Sequence, residues 1–139
     1  METDKRKSNK KTLLADDDST TRTIIADYLE DDGYEVYKFS SPDDIGEIIK
    51  ECSIIFMDVR FGRDRPAAGL EYLITNIKNG DLPVDTTTIV LYTRWGHQHT
   101  DVKERRKTLA ELGVKYLWID IQSGVELIKF REIVRRRGQ

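Results

Sequence analysis

At 139 residues the chain has the length of one ordinary domain, enough to bury a core and too short for such a domain plus a folded output domain. A net charge of −2 argues against a dedicated polyanion binder, and a single cysteine, Cys52, excludes an internal disulfide and fits a reducing compartment. No apolar run nears the ~20 residues of a membrane span, and the lysine-rich N-terminus lacks the apolar core of a signal peptide, so a cytoplasmic protein with no membrane partner is expected.

Met1 to Lys11 carry five Lys/Arg and no aliphatic residue beyond the first Met, which predicts a disordered basic tail over residues 1–11. One domain is expected over residues 12–139. Thr12 to Ala15 form a short apolar run suited to a buried strand. Ile24, Ile25, Tyr28 and Leu29 fall on one face of a helix over 23–30, capped by Asp18 or Ser19 and stopped near Gly33. Tyr34 to Phe39 alternate as an edge strand does. Ser41-Pro42-Asp43-Asp44 reads as a helix start, with Ile45, Ile48 and Ile49 as its narrow apolar face.

Cys52 opens the next apolar run and is expected to be a buried, inert thiol. Ile54 to Met57 are apolar on both faces, as in a central parallel strand. Leu70, Leu73, Ile74 and Ile77 predict a helix ending before Gly80, and Ile89 to Tyr92 another central strand. Asp101 with Glu104 predicts a capping box for a polar helix that ends at Gly113. Tyr116 to Ile119 make a fifth strand. Ser123 with Glu126 predicts a second capping box, for a last helix over 125–137. Five strands alternating with five helices give a doubly wound α/β fold with a parallel sheet.

Three strands run into polar residues: the first into Asp16-Asp17-Asp18, the third into Asp58, the fourth into Thr93. Doubly wound sheets bind ligands beyond the carboxyl ends of their strands, where the strand order reverses. In the order 2-1-3-4-5 that point lies between strands one and three, so Asp16, Asp17 and Asp58 should converge. Carboxylates so placed repel one another unless a cation joins them or one protonates. Oxygen ligands without His or Cys suit a hard cation, Mg²⁺ before Ca²⁺ or Zn²⁺.

These residues resemble the receiver domains of two-component response regulators. Leu13 to Arg22 are similar to the family's first strand and acidic pair, and Ile55 to Arg60 to its phosphoacceptor strand. Gly69 to Leu73 are similar to its third helix start, and Ile89 to Thr93 to its switch-threonine strand. The resemblance spans residues 12–136 and implies a flavodoxin-like five-stranded parallel sheet, order 2-1-3-4-5, with helices on both faces. It implies that Asp58 accepts a phosphoryl group and that Mg²⁺ is held by Asp17, Asp58 and the Arg60 carbonyl, with Asp16 acting through water. The Thr93 hydroxyl would bond a phosphoryl oxygen. The implied partners are a histidine kinase or phosphotransfer protein and a downstream output protein or domain; a homodimer is also compatible. Nucleic-acid binding by the chain itself is not implied, nor is an independent enzyme beyond self-catalysed phosphotransfer and dephosphorylation.

The sequence also departs from the family. Receivers usually close the fifth strand with Lys-Pro. Here Tyr116-Leu117-Trp118-Ile119-Asp120-Ile121 puts Ile119 or Asp120 at the lysine position. Asp120 is expected either just past the strand, in a turn, or at the site. The loop between Asp58 and Gly69 is longer than is usual. Arg94, bulky beside Thr93, either covers the phosphoryl site and stands in for the lysine or points to solvent. Trp95 is a lid, a partner contact or packing; His97 and His99 lack a third metal ligand and read as a solvated loop. The missing lysine leaves a second function open: a degenerate receiver that docks partners without phosphorylation.

Overall fold

The computed structural model describes residues 11–61, 66–93, 99–120 and 132. The expected tail (1–10), Arg94, Trp95, His97 and most of the expected last helix lie outside the described residues. The first apolar run forms β1 (Lys11–Ala15), which begins one residue earlier than the sequence suggested. Next come α1 (Ser19–Asp31), β2 (Glu35–Phe39), β3 (Ile54–Asp58), α2 (Ala68–Lys78), β4 (Thr88–Thr93), α3 (Thr100–Glu111) and β5 (Leu117–Asp120). The strands make one parallel sheet in the order β2-β1-β3-β4-β5, as expected.

The pleat divides the core between the two faces of this sheet. Leu13, Ala15, Ile55, Met57, Ile89 and Leu91 face Leu70, Leu73 and Ile74 of α2 and Val102 and Leu109 of α3. Leu14, Ile54, Phe56, Val90 and Tyr92 face Ile25, Ala26 and Leu29 of α1. Central strands covered on both sides must be apolar on both sides, which is why β3 and β4 show no polar alternation. Cys52 is buried, as expected, in the first of these clusters.

Two elements differ from the sequence reading. Residues 42–50 do not form an α-helix. They make two short 3₁₀ segments, Pro42–Asp44 and Gly46–Lys50. Gly46, which opens the second segment, has φ 56°, a left-handed conformation that interrupts the helical ladder. Ser41 still caps the first segment, its side chain accepting the Asp43 amide, and Ile45 and Ile49 still reach the core. The second difference is at α3. Its cap is His99, whose Nδ1 accepts the Asp101 amide at 3.1 Å, so Asp101 lies in the first turn and the expected Asp101–Glu104 box does not start the helix.

Candidate functional site

The site lies at the carboxyl ends of β1, β3 and β4. Asp16 directly follows β1, and its amide extends the ladder to the Phe39 carbonyl at 3.1 Å. The chain then turns sharply into α1. Asp18 caps that helix by accepting the Thr21 amide at 3.0 Å, which settles the choice between Asp18 and Ser19. A tight strand-to-helix turn keeps Asp16 and Asp17 at the sheet edge.

Asp58 closes β3, level with Tyr92 in the register of β4. The segment after it is anchored at several points. The Val59 amide donates to the Tyr92 carbonyl at 2.9 Å, and the Phe61 amide to the Asp58 carbonyl at 3.0 Å. Val59 and Phe61 are fully buried. The start of α2 presses on the same segment: the Gly69 amide donates to the Val59 carbonyl at 2.8 Å. A Cβ at Gly69 would strike the Asp58 carbonyl oxygen and come within 3.0 Å of the Val59 carbonyl. Only glycine lets the helix approach this closely, which gives a physical reason for glycine at this position.

One carboxylate oxygen from each of Asp16, Asp17 and Asp58 lies within 4.8 Å of the others. The convergence expected of these three carboxylates, from the ends of the first and third strands, therefore holds, and the cluster is able to hold a metal ion. Its electrostatics are unfavourable without one. Burial, then the charges of Asp16 and Asp17, push the Asp58 carboxyl up from 3.8 to about 7, against the Arg60 amide and guanidinium, which favour the charged form. Asp16 is also raised, chiefly by burial. The donor set is oxygen alone, which fits a hard divalent cation.

Arg60 enters the site in a way the sequence reading did not anticipate. Its carbonyl was the expected contribution. The structure also brings its amide to Asp58 Oδ1 at 3.2 Å, and its guanidinium acts electrostatically on Asp58. The Arg60 Nε is buried with no hydrogen-bond partner, a costly arrangement for a charged donor.

Tyr92 is the second residue missed. It lies buried in β4 and its hydroxyl donates to Asp16 Oδ2 at 2.8 Å. Burial, followed by the charges of Asp16 and Asp58, holds the phenol well above its ordinary range, so it remains a donor. The available signal was a phenol inside an otherwise apolar central strand, where a hydroxyl must find a partner. Arg22 was also missed; its guanidinium donates to the Asp16 carbonyl at 2.7 Å.

Thr93 is buried at the end of β4, one residue beyond the partner of Asp58, and pairs with Asp120 of β5. Asp120 is thus the last residue of the strand and not part of a turn beyond it. Its exposed side chain accepts the Trp118 indole N–H at 3.3 Å and does not join the acidic cluster. No lysine occurs within Leu117–Asp120. Among the described residues, no helix is long and apolar enough to cross a membrane.

No protein-family model matches the sequence, and no curated protein matches it. Solved structures do match in fold. A CheY-like response regulator receiver domain protein from Methanospirillum hungatei superposes with a TM-score of 0.67 at 17% identity, covering 94% of each chain. The chemotaxis response regulator CheY4 of Vibrio cholerae gives 0.65 at 19% identity, covering 95% of this chain and 100% of its own. A response regulator from Thermotoga maritima gives 0.61 at 14% identity, covering 93% and 97%. The chain therefore has the CheY-like receiver fold, five parallel strands in the order 2-1-3-4-5.

Proposed function

We propose that the chain is a phosphoacceptor receiver domain, taking a phosphoryl group from a histidine kinase or phosphotransfer protein onto Asp58 and signalling to a downstream protein or domain. The observation that carries this reading is the cluster of Asp16, Asp17 and Asp58 at the strand-order reversal of a CheY-like fold. A buried anionic crevice is costly, and a module that only docks partners has no use for one.

Asp17, Asp58 and the Arg60 carbonyl would hold Mg²⁺, with Asp16 contributing through water. When bound, the ion would neutralise the crowded carboxylates, favour the ionised form of Asp58 and screen the oxygens of an incoming phosphoryl group. The protein's own part is alignment, the main requirement of phosphoryl transfer. Asp58 is held by the Arg60 amide on Oδ1 and by the ladder of β3, and its second oxygen would act as the nucleophile. The bond from phosphorus to the donor breaks as the bond to the Asp58 oxygen forms, and the donor leaves with the electron pair and takes up a proton. The Arg60 guanidinium supplies positive charge beside the acceptor. The Thr93 hydroxyl then bonds a phosphoryl oxygen, which draws the end of β4 inward and alters the surface a partner reads.

A degenerate receiver that binds partners without phosphorylation is the second reading. The absence of lysine in β5, where Asp120 stands opposite Thr93, favours it. The two readings part in one experiment. Incubation with Mg²⁺ and acetyl phosphate, followed by intact-protein mass spectrometry, should show one added phosphoryl group under the first and none under the second.

A further inference from the structure

Asp16 is restrained at four points. Its amide donates to Phe39 and its carbonyl accepts from Arg22. Of its carboxylate oxygens, Oδ1 accepts the Asp18 amide at 2.8 Å and Oδ2 accepts the Tyr92 hydroxyl at 2.8 Å. Three of these contacts are local to β1, β2 and α1. The fourth reaches across the sheet, from β4 and 76 residues away in sequence, between two buried side chains.

We propose that Tyr92 is a positioning residue for the cation site: it fixes the Asp16 carboxylate from β4 and so couples cation binding to the end of the strand that carries Thr93. The proposal rests on the Mg²⁺-dependent reading above. A carboxylate oxygen that already accepts one hydrogen bond retains capacity for another. Asp16 so held presents a fixed carboxylate to the cation or to a water bound to it. Tyr92 also accepts the Val59 amide through its carbonyl and lies level with Asp58. One residue thus touches the group before the cation, the loop after the acceptor and the switch threonine. Any displacement of Thr93 that moves Tyr92 alters how Asp16 is held, and by linkage cation binding biases the end of β4 in return.

The test is a double-mutant cycle read as Mg²⁺ affinity, by calorimetry or tryptophan fluorescence, in the full chain. Losing a partner that orients a metal-site group typically costs 10–100-fold in affinity. Tyr92→Phe should raise the Mg²⁺ dissociation constant about tenfold, and the same change in an Asp16→Ala background should have no further effect. An equal loss in both backgrounds would mean that Tyr92 acts only by packing and would overturn the proposal, as would no loss in either. If Tyr92→Phe fails to fold, NMR of the unaltered protein decides. The Tyr92 hydroxyl proton should be protected from exchange and should shift when Mg²⁺ is added; an unmoved resonance alongside saturable Mg²⁺ binding would refute the coupling while leaving the phosphoacceptor reading intact. A chain that binds no Mg²⁺ at all would overturn both.

Discussion

Replacing Asp58 by Asn removes the charge that this site tolerates least. In the folded, metal-free chain the Asp58 carboxyl sits at about 7 against an ordinary 3.8. At about 1.36 kcal/mol per pH unit, the shift corresponds to about 4 kcal/mol of destabilisation once the carboxylate is fully ionised. The folded state binds the Asp58 proton more tightly than the unfolded chain does. Stability therefore falls as pH rises through the window from 3.8 to about 7; below it this cost is absent, and above it the cost is complete. Asn keeps the shape and the oxygen that accepts the Arg60 amide. In chelator, Asp58→Asn should accordingly be more stable than the unaltered chain by up to about 4 kcal/mol at pH 8, with the gap closing toward pH 4. Urea unfolding at a series of pH values measures this through the midpoint at constant slope. Mg²⁺ should narrow this gap, since a ligand at a hundredfold excess over its dissociation constant stabilises the parent by about 2.7 kcal/mol and should bind the variant poorly. A variant no more stable than the parent at pH 8, or a gap that does not change with pH, would refute the picture of a crowded anionic crevice.

Three further substitutions separate the parts of the site. Gly69→Ala should destabilise the fold by about 1–3 kcal/mol by driving α2 off the Asp58 and Val59 carbonyls, and should weaken Mg²⁺ binding as Asp58 shifts; thermal melts and titration read both. Arg60→Gln keeps the main-chain carbonyl and removes the guanidinium. Asp58 should then titrate higher still by carboxyl NMR, and phosphorylation at neutral pH should slow, with Mg²⁺ binding no weaker. Thr93→Ala should still accept a phosphoryl group on Asp58 but lose the accompanying change in tyrosine or tryptophan fluorescence.

The sheet and the acidic cluster were legible because each follows from patterns that cannot be satisfied otherwise. Apolar runs such as Ile54 to Met57 and Ile89 to Leu91 need cover on both faces, which demands a parallel sheet with helices on either side. Once the strand order is fixed, Asp16 and Asp58 must meet. What escaped the sequence depends on single residues. The crossover at 42–50 has the cap, proline and apolar spacing of a helix, and one glycine in the left-handed region breaks it. His99 replaced Asp101 as cap because an imidazole nitrogen accepts an amide as an aspartate oxygen does. Asp120 remained in the strand because its pairing with Thr93 outweighed the turn preference of aspartate. Tyr92 read as one more apolar residue of β4, and its hydroxyl gained meaning only with Asp16 beside it in space.

The most direct test of the phosphoacceptor reading is to locate the phosphoryl group. After reaction with acetyl phosphate and Mg²⁺, peptide mapping should place one phosphoryl group on the segment containing Asp58, with none in Asp58→Asn and none in chelator. An adduct that persists in Asp58→Asn, or a chain that stays unmodified while binding Mg²⁺, would contradict it.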